Sequence, residues 1–212
     1  MKVYLDYDQA ELDRNYTQTA WAPNAEEIIR WYGIQSALVR ARLKHQANIA
    51  YGASQAEVLD FFPTDRPKAP ICIFVHGGAW MLLTKDESAF AADIFVEAGV
   101  HFVAINFACI PAVRLPEMVA QVRGATRFVH RQAASFGADP RRLFLLGHSS
   151  GAHLIAAALT QGTAGLGKGE DEIVRGALCA SGSYDLEPVL LSHRGNYLRL
   201  DATEARELSP LH

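Results

Sequence analysis

After Tyr51-Gly52, short runs that are mainly apolar rather than alternating follow one another, with helix-patterned stretches between them. The runs are Glu57 to Phe62, Ile71 to Val75, His101 to Phe107, Leu143 to Leu146 and Val174 to Ala180. A strand with one wet face alternates apolar and polar residues, whereas one apolar on both sides belongs to a sheet covered on both faces. The intervening segments, Glu87 to Ala98, Pro116 to Phe136 and Ser150 to Thr160, supply the covering helices. The second has Pro116 in its first turn, Met118, Val122, Ala125, Val129, Ala133 and Phe136 on one face, and Gly137 to stop it. The expected fold class is α/β, a doubly wound, mainly parallel sheet with helices on both faces.

Residues 1–45 form an N-terminal helical segment and candidate cap, and residues 46–212 the α/β core. Asp8 caps a short helix and Asn24 a longer one, in which Ile28, Trp31, Tyr32, Leu38 and Val39 recur at helical spacing. Gly162 to Gly169 reads as a flexible surface loop.

With 212 residues and 50% hydrophobic content the chain can bury one core. Twenty basic against 23 acidic side chains, with no basic block, argue against nucleic acid or an anionic membrane as partner. No apolar stretch is long enough to span a bilayer, and the first residues lack a signal-peptide core, so a cytoplasmic location is expected. Cys72, Cys109 and Cys179 lie far apart and read as reduced, buried thiols rather than metal ligands.

Two glycine motifs carry chemistry. Gly147-His148-Ser149-Ser150-Gly151 joins a buried strand to a helix. A turn that tight exposes Ser149 at the strand end and leaves the Ser150 N–H at a helix N-terminus. The bland reading is a helix cap with an inert serine. His76-Gly77-Gly78-Ala79-Trp80 ends another strand, where two residues without Cβ let main-chain N–H groups approach a ligand oxygen. Gly77, Gly78 and Ser150 are therefore candidate oxyanion donors; a plain turn is the alternative.

A serine at neutral pH needs a histidine to take its proton and a carboxylate to orient that histidine. His148 sits on the strand side and is poorly aimed. His153, four residues along the helix, reads as structural, and His76 as a shaper of its own loop. His45, His101 and His130 read as surface or sheet-end positions. Asp185 with His193 or His212 keeps the chain order of nucleophile, acid and base. Trp80, Trp31 and Tyr32 are candidates for an aromatic pocket, with ordinary core packing as the alternative.

From about Tyr51 onward the chain resembles the α/β-hydrolase superfamily, and within it the hormone-sensitive-lipase-like and kynurenine formamidase (arylformamidase) enzymes. The residues are YGASQAEVLDFFP, HGGAW, LPEMVAQVRGATRFV through FGADPRRL, GHSSGAH and SGSYDLEP. The resemblance implies a cofactor-free serine hydrolase in which Ser149 attacks and Gly77 and Gly78 help hold the oxyanion. The expected substrate is a small ester or amide, such as the formyl amide of N-formylkynurenine. In that family the acid and histidine follow two further strands, about 60 residues of additional chain, so the C-terminal part is expected to be missing here. Tyr184-Asp185-Leu186 matches a family motif that is not the triad acid. Without the later strands, Val174 to Ala180 becomes a sheet edge through which copies of the chain could pair. A general carboxylesterase is the runner-up, and an inactive hydrolase fold that binds a partner is the rival from another class.

Overall fold

The computed structural model describes residues 1–160, 166 and 173–212; the glycine-rich loop read at 162–169 lies, apart from Leu166, outside the described residues. The chain opens with a small antiparallel pair, β1 (Lys2–Tyr4) and β2 (Tyr7–Asp8), followed by α1 (Gln9–Asn15). Asp8 caps α1 in a reciprocal arrangement with Glu11. Helix α2 (Ala25–Arg42) begins after Asn24, whose side chain makes no capping hydrogen bond.

Among the described residues six strands form the main sheet: β3 (Gln46–Ala50), β4 (Val58–Phe62), β5 (Ala69–Val75), β6 (His101–Ile105), β7 (Ala138–His148) and β8 (Gly176–Ala180). Their order is β3-β4-β6-β5-β7-β8. The β3–β4 and β4–β6 pairs are antiparallel, and the remaining pairs are parallel. Strand β8 is the end of this order among the described residues. Helices α3 (Ala92–Glu97), α4 (Leu115–Gln132) and α5 (Ser150–Thr160) follow β5, β6 and β7; short helices α6 (Glu187–Leu191), α7 (Gly195–Leu198) and α8 (Ala202–Glu207) follow β8. Among the described residues no helix is long and apolar enough to cross a membrane.

Strand alternation divides the core. Leu59, Phe61, Ile71, Ile73, Val75, Val103, Ile105, Leu143 and Leu145 face α4 and α5, meeting Met118, Val122, Val129, Leu154 and Ile155. Phe62, Phe74, Phe102 and Ala104 face the other way, against Val39 of α2 and Ala89 and Ala92 near α3. Each buried Leu, Ile, Val or Phe contributes about 1.5–3 kcal/mol, so both faces matter to stability. On the second face Phe144 and Leu178 stay 39% and 62% exposed, so the cover ends before the β7–β8 side.

Three expectations need correction. Of the residues at apolar spacing in α2, Val39 is buried, with Ser36 on the packed face, and Tyr32 is half-buried, while Ile28, Trp31 and Leu38 remain exposed, so the packed face takes up only part of the apolar pattern. The helix expected over Glu87 to Ala98 breaks into 3₁₀ turns at Lys85–Glu87 and Ala89–Ala91 before α3. Thr84 and Glu87 cap each other reciprocally and the Ser88 hydroxyl donates to Thr84 O, which holds the chain in the tighter turn. Cys109 and Cys179 are only half-buried, though all three cysteines are free.

Asp60, in the middle of an apolar strand, is fully buried. Arg40 of α2 donates to its Oδ2 from Nε at 3.1 Å, Lys85 lies 3.1 Å from Oδ1, and the Asn48 N–H donates to Oδ1 at 3.0 Å. The carboxylate thereby joins α2, β3 and the 3₁₀ turn beyond HGGAW. Asp60→Ala would remove the buried counter-charge of Lys85 and leave its ammonium only the exposed carboxylate of Asp86, 2.9 Å away; it is expected to lower stability by about 3 kcal/mol in urea unfolding. A loss under about 1 kcal/mol, the range of surface pairs, would contradict this account.

Candidate active site

Ser149 stands between β7 and α5 with φ +54°, a left-handed conformation that costs a non-glycine residue about 1–2 kcal/mol. Three main-chain hydrogen bonds hold it there. Its N–H donates to Ala180 O at 2.8 Å, and its carbonyl accepts from the N–H groups of Ala152 and His153 at 3.0 and 3.2 Å. The flanking glycines are required by close approach. A Cβ on Gly147 would lie 2.6 Å from Ile155 Cδ1 and 2.8 Å from the Gly151 backbone. One on Gly151 would run into the carbonyl oxygens of Val75 and His76. The G-x-S-x-G spacing thus lets the first turn of α5 press against the end of β5.

The HGG turn lies against the serine. A Cβ on Gly77 would come 2.8 Å from His148 O and 3.1 Å from Ser149 Cβ, so only glycine leaves the gap between the two turns open. Gly78 has φ +107°, and its carbonyl accepts from Met81 and Leu82 N–H at 3.0 and 2.8 Å. Ala79 and Trp80 are also left-handed, with φ +53° and +63°. Among the described residues no acceptor takes the N–H of Gly77 or Gly78. As the first residue of α5, Ser150 has no intrahelical acceptor for its N–H. The arrangement can stabilise an anionic oxygen beside Ser149.

Behind this turn Trp80 is buried, and its indole N–H donates to His153 Nδ1 at 3.2 Å. His153 Nε2 in turn donates to Leu208 O at 2.9 Å, so both ring nitrogens are occupied and the ring is neutral. Burial lowers its pKa to about 4, against the hydrogen bond to Leu208. Trp80 is thus a core residue, not a pocket wall. His76 stacks on Phe107 with ring centroids 4.2 Å apart, and its Nδ1 donates to Gly77 O at 2.9 Å. Burial lowers its pKa to about 4 as well. Tyr32 does line a cavity of about 210 Å³ that also includes Gly77, His148 and Phe90. Tyr32 stacks on Phe90 at 4.6 Å, while Trp31 is half-exposed beside them. Phe90 was not legible as a site residue, since nothing local distinguishes it from a core phenylalanine.

Most of the chain aligns with known hydrolases. The BD-FAE family model matches residues 59–175. Kynurenine formamidase of Danio rerio is 33% identical over 99% of this chain and 72% of its own length. The chain belongs to the arylformamidase-type α/β hydrolases. The Salmo salar kynurenine formamidase is 31% identical with the same coverage. A crystal structure of a candidate thioesterase from Silicibacter sp. TM1040 superposes with a TM-score of 0.82 at 25% identity, covering 95% of this chain and 74% of that one. Thermogutta terrifontis esterase 2, at 21% identity and TM-score 0.63, shares the fold; it covers 80% of this chain and 66% of that one.

Among the described residues neither Asp185, His193 nor His212 makes a hydrogen bond or ion pair with Ser149. Asp185 Oδ1 is 3.7 Å from His212 Nε2 and also accepts from the Glu187 N–H at the start of α6. These two side chains line a cavity of about 500 Å³ with Arg206 and Ser209, and Ser149 is not part of its wall. His193 is not oriented by Asp185: its ring lies 3.8 Å from Asp13, whose carboxylate also accepts the His193 N–H at 2.6 Å. Among the described residues Ser149 Oγ has no hydrogen-bond partner.

Proposed function

We propose that the chain is a serine hydrolase that cleaves a small carboxylic ester or an aryl formamide of the N-formylkynurenine kind, the compound formed in tryptophan breakdown. The reading is carried by one observation: a serine held in a strained left-handed turn, with its Cβ 3.1 Å from where a Cβ on Gly77 of the second turn would stand. Ser149 Oγ attacks the carbonyl carbon and gives up its proton to a base. The carbonyl electron pair moves to oxygen, where N–H groups of Gly77, Gly78 and Ser150 receive it; one such donor is worth about 10² to 10³ in rate. Collapse expels the amine or alcohol, which takes a proton. Water then releases the acid from the acyl-serine.

A fluorophosphonate probe tests the proposal. The wild-type chain should take up one probe per molecule, and Ser149→Ala none. Turnover of N-formylkynurenine compared with p-nitrophenyl acetate then separates an arylformamidase from a general carboxylesterase. The lack of an imidazole against Ser149 Oγ among the described residues favours one second reading, a fold that binds such ligands without turning them over. A well-folded wild-type protein that takes up no probe would establish that reading instead.

A further inference from the structure

The cavity of about 210 Å³ has Gly77 and His148 in its wall, so it touches both a candidate oxyanion donor and the residue that precedes Ser149. Three aromatic rings, Tyr32, Phe74 and Phe90, line it as well. Tyr32 and Phe90 are stacked with their planes 11° apart, and Phe74 meets Phe90 edge-on at 81°. The faces of such rings attract cations through the ring quadrupole.

Charge balance gives this cavity its sign. Among the described residues Glu87 is the only acid in the lining, and no lysine or arginine lines it. The cations nearby are taken, because Arg40 and Lys85 each pair with both Asp60 and Asp86. Glu87 has no cationic partner within ion-pair distance among the described residues. Its Oε2 accepts from the Thr84 N–H and hydroxyl, both at 2.9 Å, while Oε1 accepts no hydrogen bond among the described residues. The cap thus fixes the carboxylate and leaves one of its oxygens uncommitted. Its stem runs beside the helix of Tyr32, since a Cβ on Gly33 would stand 4.0 Å from Glu87 Cγ. Aromatic walls with one held carboxylate suit an alkylated ammonium, which carries charge but few N–H donors; a primary ammonium has three donors to satisfy.

We propose that this cavity binds an alkylammonium head group, with Glu87 as the counter-charge and Tyr32 and Phe90 as aromatic walls. Its place in the reaction rests on the serine hydrolase reading: a small ester carrying a trimethylammonium group would set its carbonyl at Ser149 and its cation in this cavity. Glu87 and Tyr32 then decide specificity and take no part in bond making.

Binding of choline tests this without turnover, measured against its neutral isostere, in which a tert-butyl group replaces trimethylammonium. Both compounds are titrated at millimolar concentration and constant ionic strength into the full chain, Glu87→Gln, Tyr32→Leu and, as a control outside the cavity, the exposed Glu97→Gln, with NMR shifts as the readout. Glutamine can still accept at the Thr84 cap, so Glu87→Gln should keep the melting temperature of wild type. Wild type and Glu97→Gln should bind choline about tenfold more tightly than the neutral compound, the scale of a partly desolvated cation on aromatic faces with a carboxylate beside it. Glu87→Gln and Tyr32→Leu should each remove most of that preference. Equal affinities in wild type, no binding of choline, or a preference that survives either substitution would overturn the proposal. Fluorophosphonate labelling separates it from the reading it rests on. Choline should slow labelling of Ser149 in wild type and not in Glu87→Gln, and labelling indifferent to bound choline would remove the cavity from the reaction. No labelling at all, with the choline preference intact, would defeat the reactive serine and leave the ammonium site standing.

Discussion

Gly151→Ala is expected to destabilise the fold by about 4 kcal/mol or more, enough to unfold much of the protein at ordinary temperature, given a typical total of about 5–15 kcal/mol. The added methyl has nowhere to go, because its nearest neighbours are the backbone carbonyl oxygens of Val75 and His76 at the end of β5. A flexible side chain could swing away; a main-chain carbonyl in the central strand can move only if the first turn of α5 lifts off the sheet. That motion would also carry Ser149 away from Gly77. Gly124→Ala is the matched control. Nothing lies within 4 Å of a methyl there and the site is inside α4, so a gain of about 0.5–1 kcal/mol is expected. Urea unfolding of both variants checks the pair, and a Gly151→Ala protein as stable as wild type would show that α5 does not sit where described.

Mild acid should weaken the fold severely. His76 and His153 are buried and neutral, and burial brings both pKa values from the ordinary 6.5 to about 4, with nearby Glu87 opposing the shift at His76. The unfolded chain therefore binds protons at a pH where the folded chain does not. Their contribution is fully present above about pH 6.5 and is lost as the pH falls toward 4. Each shift corresponds to roughly 3 kcal/mol, so together they remove stability on the order of 5 kcal/mol by pH 4.5. Urea midpoints at pH 7.5 and 4.5 measure this. His153→Asn should flatten its share of the slope, and a midpoint that does not move with pH would refute the assignment of both rings as buried and neutral.

What could be read from the chain was what depends on near neighbours. The runs around Ile71, His101 and Leu143 mark strands because both faces are apolar, and Ser150–Thr160 spans the helix as observed. The glycines of GHSSG and HGG are legible because their role is a local demand for space. Strand β3 was not, since Gln46–Ala50 carries no apolar run and pairs only at an edge beside β4. The short helices after β8 are too brief for periodicity to announce. Arg40 and Lys85 lie 20 and 25 residues from Asp60 along the chain, so only the tertiary fold reveals that they share its carboxylate. The partnership of His193 with Asp13, 180 positions away, is hidden for the same reason.

The ring of His153 acts as a rivet. One nitrogen holds the indole of Trp80, in the turn that shapes Gly77 and Gly78, and the other holds the main chain at Leu208. A displacement of α8 is therefore felt at the anion-binding turn through two hydrogen bonds and one rigid plane. Helix α8 and the cradle do not loosen independently.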